Sequence, residues 1–445
     1  MTATANRGRT RLRAIAGALL LSLCGIAAAD EGGDAIALAQ RTLDRLDAGQ
    51  YAAVIDSFTS EAKAAIDADG LEQVWIALPA QLGEAQGRGD ATLDTRGRFR
   101  VVAIPLRYAR GALNAIVTLD EYDRVAGLLL QPPAAAPPPP PAMPAGISER
   151  AFSVGSGERA LPGTLTLPNG AGPFPAVALV HGSGPQDRDE TIGPNRPFLD
   201  IAHGLAAHGI AVLRYDKRSR ARPQDYAQGD FTIDDETTDD AVAALKALRA
   251  APGIDPERVF VFGHSLGAML APRIAARVPG TAGAILFAAP SRPLLDVLVE
   301  QVSAMAARDG SVSDAEREAT TRLESGIARL RAGEEVPAAE APLGQSTAYW
   351  RSIEAVDPVA DARALDVPLL VLHGGRDLQV GAADWRGWQQ AFPQSPRVRL
   401  RDYPALSHLG IAGEGPGSLA DYQTAGHVDP RLIADVAEWI RERRP

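Results

Sequence analysis

The five residues Gly263-His264-Ser265-Leu266-Gly267 constrain this chain more than any others, because a serine framed by glycines at that spacing demands one local geometry. Just before them, Arg258-Val259-Phe260-Val261-Phe262 is β-branched and aromatic and reads as a buried strand. Just after them, Ala268-Met269-Leu270-Ala271 opens an apolar stretch with helical spacing that runs to Val278. A strand, a forced turn and a helix result. The turn strains the serine backbone, and a Cβ at either flanking position would collide with the neighbouring strand and helix, which accounts for Gly263 and Gly267. The hydroxyl then stands above the sheet at a helix N-terminus, whose partial positive charge favours a developing anion.

The rest of the C-terminal two thirds alternates strands and helices around this turn. Strands are predicted at Ala176 to Val180, Ile210 to Tyr215, Ala284 to Ala288, Val367 to Leu372 and Val398 to Leu400. Helices are predicted at Phe198 to His208, Thr237 to Ala250 and Pro430 to Arg441. Such alternation implies an α/β architecture, a mostly parallel sheet flanked by helices. The rhythm breaks over about 293–356, where Leu294 to Ala307 and Ser313 to Ala332 read as charged helices with no strand between them; we expect a helical lid there. The N-terminal part reads differently. An amphipathic helical pattern from Asp34 to Ala65 precedes strands at Phe99 to Leu106, Leu113 to Leu119 and Val125 to Leu130, which is the order of a small α+β domain over 30–130. Residues 131–146, with five prolines at Pro137 to Pro141, read as an extended linker to a second domain over 147–445.

Serine is a weak nucleophile at neutral pH, so it needs a base, and the base needs an acid to orient it. Asp377 ends His373-Gly374-Gly375-Arg376-Asp377 directly after the predicted strand at Val367, and His408 follows the strand at Val398. Ser265, Asp377 and His408, each just beyond a strand end, form a far more specific signal than the pentapeptide alone. The competing residues have blander readings. His427 leads into the last helix and reads as a cap or packing residue, His264 points away from the serine's side, and His373 reads as a structural hydrogen-bonding residue. Asp357, before Pro358, reads as a turn residue, and Asp384 sits among helix formers. A tetrahedral anion also needs backbone donors. The N–H of Leu266 is one; the second is expected from the glycine-rich loop His181-Gly182-Ser183-Gly184-Pro185, with Ser183 chosen and Gly184 kept as its alternative. The charged runs Gln186 to Glu190 and Lys217 to Arg222 read as solvated loop surface more readily than as the mouth of a pocket. Tyr349, Trp350, Trp385 and Trp388 fit an acyl pocket and core packing equally well.

Composition bounds the function classes. The 445 residues carry a formal charge of −10, and an apolar fraction of 46% suits a folded chain of two domains. Arg7, Arg9, Arg11 and Arg13 precede an apolar run from Ala14 to Ala28 that ends in small residues, the pattern of a secretory signal (1–29) cleaved after about Ala29. The run is short of the roughly 20 residues of a spanning helix, so no stable membrane insertion is expected after cleavage. Periplasmic or secreted localisation is the corresponding expectation. Cys24, the single cysteine, lies within the signal, so the mature chain would have no disulfide. Cleavage removes four arginines and brings the charge to about −14, which excludes the basic footprint of a nucleic-acid binder. No phosphate-binding loop, dinucleotide fingerprint or zinc spacing is present, so neither cofactor nor metal is expected.

Taken together, His181-Gly182-Ser183-Gly184-Pro185-Gln186-Asp187, Arg214-Tyr215-Asp216-Lys217-Arg218, Gly263 to Gly267, Gly375-Arg376-Asp377 and Ser407-His408-Leu409 resemble the α/β-hydrolase superfamily. Within it the likeness is to bacterial carboxylesterases of the EstD type, which carry an N-terminal domain of unknown function. The resemblance runs from about Ile147 to the C-terminus. It implies an α/β-hydrolase fold and hydrolysis of small-molecule short- to medium-chain carboxylic esters, through an acyl-enzyme on a Ser265-His408-Asp377 triad. Ser219 stands where the family continues Lys-Arg-Gly, which affects that loop and not the triad. For the N-terminal segment the likeness is only to cone-shaped helix-plus-sheet domains and assigns no chemistry. Since leaving-group choice rests with the pocket, a peptidase or thioesterase on the same fold stays open, as does a non-catalytic binding protein; the oligomeric state carries no sequence signal.

Overall fold

The computed structural model describes residues 34–96, 99–131, 143–226, 231–306, 312, 314–337 and 340–443, in two compact units, Met1–Ala134 and Ala135–Pro445. The expected signal at 1–29 and the five-proline run Pro137 to Pro141 of the expected linker lie outside the described residues.

In the first unit four helices precede an antiparallel sheet. They are α1 (34–47), α2 (Tyr51–Asp56), α3 (Ser60–Ala65) and α4 (Ala68–Leu82). The pattern expected to run to Ala65 is broken into three because Gly49 takes a φ of 70°, and Thr59 restarts the helix by accepting the Ala62 N–H. Strands β1 (Ala85–Arg88), β2 (Thr92–Arg96), β3 (Phe99–Tyr108), β4 (Gly111–Leu119) and β5 (Val125–Gln131) order as β1-β3-β4-β5, with β2 also pairing β3. Period-2 alternation sends Val102, Ile104, Leu106, Ala115, Val117 and Leu119 inward against Ala39, Leu43, Leu46 and Val54.

The second unit is built on an eight-stranded sheet. In chain order its strands are β6 (Ile147–Val154), β7 (Leu161–Pro168), β8 (Phe174–Val180), β9 (Ala211–Tyr215), β10 (Ile254–His264), β11 (Gly283–Phe287), β12 (Leu369–Gly374) and β13 (Val398–Tyr403). Across the sheet they order β13-β12-β11-β10-β8-β9-β7-β6. Every pair from β9 to β13 is parallel, and β7 and β6 are added antiparallel at one edge. Alternate residues feed two cores: Ala178, Val261, Leu286 and Val371 on one face, Leu179, Phe262, Phe287 and Leu372 on the other. The first face is covered by α7 (Asp239–Arg249) and α8 (Leu266–Ala276), the second by α5 (Pro197–Ala207) and α14 (Pro430–Glu442). Between β9 and α7 lie the single turn α6 (Arg218–Ala221) and a π-helical turn at Asp234–Thr238, where the sequence pattern had suggested helix only from Thr237. The insertion after β11 holds α9 (Leu294–Ala306), α10 (Asp314–Arg331) and α11 (Thr347–Glu354), one helix more than the charge pattern revealed; α12 (Pro358–Ala364) returns the chain to β12. Between β12 and β13 lies α13 (Ala382–Ala391). The register sets Gly263 beside Val180 and His264 beside Phe287, so the chain leaves β8, β10 and β11 at one level of the sheet.

Candidate active site

At that level Ser265 joins β10 to α8 with φ 54° and ψ −117°, a conformation costly for any residue with a side chain. Its surroundings enforce it. A Cβ on Gly263 would lie 2.2 Å from the Gly267 carbonyl oxygen, and one on Gly267 would lie 2.2 Å from the Val180 oxygen and 2.6 Å from the His181 oxygen. These are the collisions expected from the pentapeptide. The Ser265 N–H is tied to the Phe287 carbonyl at 2.9 Å, and its own carbonyl accepts the Met269 N–H at 3.0 Å to start α8. Leu266 is the first helical residue, so its N–H has no carbonyl one turn earlier to bond.

Asp377 and His408 meet as expected from their strand ends: His408 Nδ1 donates to Asp377 Oδ2 at 2.8 Å, with both side chains buried. The other oxygen of Asp377 accepts two backbone donors, Gln379 N–H at 2.7 Å and Val380 N–H at 2.9 Å. Burial alone would raise this carboxyl's pKa; His408 and the two N–H groups outweigh it and hold the pKa below the ordinary value. The acid is therefore ionised and the histidine carries its proton on Nδ1, leaving Nε2 free to accept. The hydrogen bonds of His408 run to Asp377 and from His264, and none among the described residues reaches Ser265.

The other histidines and acids have structural partners. His373 bonds Asp402 at 2.9 Å and stacks on Trp385. His427 is exposed and bonds Asp200, so it does not cap the last helix; Asp429 does, accepting the Arg431 N–H. Asp357 caps α12, and Asp384 is buried, paired with Arg292.

His264 does more than face away. Its Nε2 donates to the His408 carbonyl at 2.9 Å, and its Nδ1 faces Glu190 Oε2 at 2.9 Å, off the line of a straight hydrogen bond. Glu190 Oε1 accepts the Gly182 N–H at 2.7 Å. Burial opposes charge on both partners, yet their attraction prevails: the His264 pKa is raised and that of Glu190 lowered. One buried pair thus ties the glycine-rich loop, the elbow and the His408 loop together. At the head of that glycine-rich loop, burial pulls His181 down to about 4, so it is neutral.

The two charged runs correct the sequence reading in part, for most of their charges are buried or partly buried and paired, while Arg220 stays exposed. Glu190 and Lys217 are buried, Arg188 grips Asp216, Arg214 pairs with Asp189 and Glu149, and Arg218 pairs with Asp240 and Asp225. Arg188, Glu190, Lys217 and Arg218 meet partners distant in the chain, which no local pattern announces. Arg214 inside an otherwise apolar strand was the one available signal.

Ser265 and Ser183 open onto a cavity of about 670 Å³. Leu294, Leu298 and Val302 of α9 and Tyr349 and Trp350 of α11 line it, whereas Trp388 lies in the core and donates to the Ala289 carbonyl. Glu236 of the π-helical turn is a carboxylate in the lining, and it is already occupied: Lys217 lies 3.3 Å from Oε1 and the Tyr349 hydroxyl donates to Oε2 at 2.9 Å. Among the described residues no group of His, Cys, Asp and Glu is arranged to hold a metal ion, and no helix is long and apolar enough to cross a membrane.

The family model described as serine aminopeptidase, S33, matches residues 176–414, and a model of a protein family of unknown function matches residues 39–128. The chain is 35% identical to esterase EstD of Thermotoga maritima over 400 residues, covering 89% of this chain and 93% of that one. Among solved structures, Est1E of Butyrivibrio proteoclasticus is 16% identical, covers 66% of this chain and 96% of its own, and superposes with a TM-score of 0.41. A puromycin-hydrolysing peptidase of Mycobacterium tuberculosis is 17% identical, covers 79% of this chain and 46% of its own, with a TM-score of 0.43.

Proposed function

Since the chain belongs to the serine aminopeptidase S33 family of α/β-hydrolases, we propose that it is an exported serine carboxylesterase acting on short- to medium-chain esters. The observation that carries the proposal is the strained Ser265 at a cavity mouth, in one sheet edge with the His408–Asp377 pair. Ser265 Oγ attacks the ester carbonyl while His408 Nε2 takes its proton. The Leu266 and Ser183 N–H groups stabilise the resulting oxyanion. The carbon–oxygen bond to the alcohol then breaks, the alkoxide leaves with the proton held by His408, and an acyl-enzyme remains. Water, deprotonated by the same imidazole, attacks the acyl carbon and releases the acid and Ser265. Asp377 keeps the imidazole in the tautomer that can accept.

Two features favour an ester over the free amino-terminal peptide that the family's description suggests. An aminopeptidase needs an uncompensated acid for the substrate ammonium, whereas the charge of Glu236 is compensated by Lys217 and its other oxygen is bonded by Tyr349, and the α9 wall is apolar but for Gln301, whose amide donates to the Gln379 carbonyl. The 35% identity to an esterase points the same way. Purified mature chain should show its highest kcat/KM on p-nitrophenyl butyrate or hexanoate; faster turnover of aminoacyl p-nitroanilides or acyl-CoA would refute the ester reading. Export rests on the Arg7 to Ala29 pattern, and amino-terminal sequencing of chain recovered outside the cytoplasm should begin at about Asp30.

A further inference from the structure

We infer that Lys217, outside the triad, is a positioning residue for the oxyanion hole: its ammonium sets and polarises the peptide plane that carries the Ser183 N–H. The inference rests on Ser183 as oxyanion donor in the hydrolytic reading above. Lys217 follows β9 and is 2% exposed, an environment that a lysine enters only when its charge is paired and its protons are accepted. Its Nζ donates to the Gly182 carbonyl oxygen at 3.0 Å and lies 3.3 Å from Glu236 Oε1.

The choice of acceptor matters. The Gly182 carbonyl and the Ser183 N–H are the two ends of one peptide group, and the only cis bond among the described residues is at Gly172-Pro173. In a trans peptide the C=O and N–H point in opposite directions within one plane. Anchoring the oxygen on the buried ammonium therefore turns the Ser183 N–H outward, towards the cavity that Ser183 and Ser265 both line. The other side of Gly182 is fixed as well, since its own N–H donates to Glu190 Oε1 at 2.7 Å. The cation also withdraws electron density from the carbonyl oxygen, which makes the N–H of that peptide a stronger donor to an anion. Neutral ground-state substrate gains little from this; a tetrahedral oxyanion gains most, which is the signature of transition-state stabilisation. Glu236 holds the ammonium in place and is itself held by the Tyr349 hydroxyl of α11, so a residue of the helical insertion is linked to the oxyanion donor by three polar contacts.

The test compares Lys217→Met and the double variant Lys217→Met/Glu236→Met with wild type, reading kcat and KM on p-nitrophenyl butyrate, affinity for an alkyl trifluoromethyl ketone, and Tm. The ketone forms a hemiketal oxyanion on the serine and so reports the hole directly. Lys217→Met should lower kcat about 10- to 100-fold, less than the roughly 10²–10³ that a lost oxyanion donor costs, with KM within about twofold. Ketone affinity should fall by the same factor as kcat/KM. The single variant leaves Glu236 buried without its cation and should lose Tm; the double variant removes both charges, recovers Tm and keeps the kinetic defect. Recovery of kcat together with Tm in the double variant, or unchanged ketone affinity in either, would overturn the role assigned to Lys217. A fluorophosphonate reacting with wild-type Ser265 checks the underlying reading separately. If wild type is not labelled, the hydrolytic function itself falls; if it is labelled and Lys217→Met is kinetically silent, only the present inference does.

Discussion

Asp377→Asn is a substitution of two atoms' chemistry whose effect the structure dictates. The Oδ1 of Asp377 accepts two backbone N–H groups, from Gln379 and Val380, while Oδ2 accepts from His408 Nδ1. An asparagine has one carbonyl oxygen and one NH2, and the two backbone donors demand the oxygen. The NH2 must then face His408, where a donor stood opposite a donor is repulsive. The imidazole responds by moving its proton to Nε2, and in that tautomer it cannot accept the Ser265 proton. Loss of the productive tautomer in this way lowers kcat about 10⁴-fold, about 5.4 kcal/mol of transition-state stabilisation. KM should change little, since Asp377 is buried behind the histidine and lines no part of the cavity. The assay is steady-state hydrolysis of p-nitrophenyl butyrate at neutral pH, with Tm measured beside it. A folded Asp377→Asn enzyme retaining more than about a tenth of wild-type kcat would refute the assignment of Asp377 as orienting acid.

Gly267→Ala should abolish activity and lower Tm by several degrees, because its Cβ would lie 2.2 Å from the rigid Val180 carbonyl; an active, fully stable variant would show that the elbow is not constrained as described. Acid stability should report His181, whose pKa is pulled from 6.5 to about 4 by burial. The unfolded chain takes up that proton below about pH 6.5 and the folded one only near pH 4, so ΔG of unfolding should fall as pH drops through that window. Urea midpoints across the window should be flatter for His181→Leu than for wild type, and equal slopes would contradict the assignment.

Much of the candidate site was legible because each of its proposed groups follows a strand of the parallel sheet. Ser265 and Asp377 follow β10 and β12, whose apolar runs announce themselves, His408 follows the shorter apolar signal of β13, and the glycines of the elbow carry their own steric reason. Residues whose roles depend on long-range partners were not legible. Glu190 and Lys217 stand in charged runs that look like any solvated loop, and their burial is decided by His264 and Glu236, far along the chain. The two antiparallel strands were hidden for a related reason: β6 buries only its ends, and β7 has prolines near both ends, so neither shows a clean alternation. In the first unit α4 holds Pro79 and leaves Val74 and Ile76 exposed, which blurs its amphipathic face. The wall of the cavity is likewise assembled from α9 and α11, residues that meet only once the insertion has folded.

The central claim is that acyl transfer proceeds through Ser265, and intact-mass and peptide mapping after reaction with a fluorophosphonate test it most directly. One adduct should form per chain, on the tryptic peptide from Val259 to Arg273, and Ser265→Ala should form none while keeping its fold. An adduct on any other residue, or undiminished labelling of Ser265→Ala, would contradict the account.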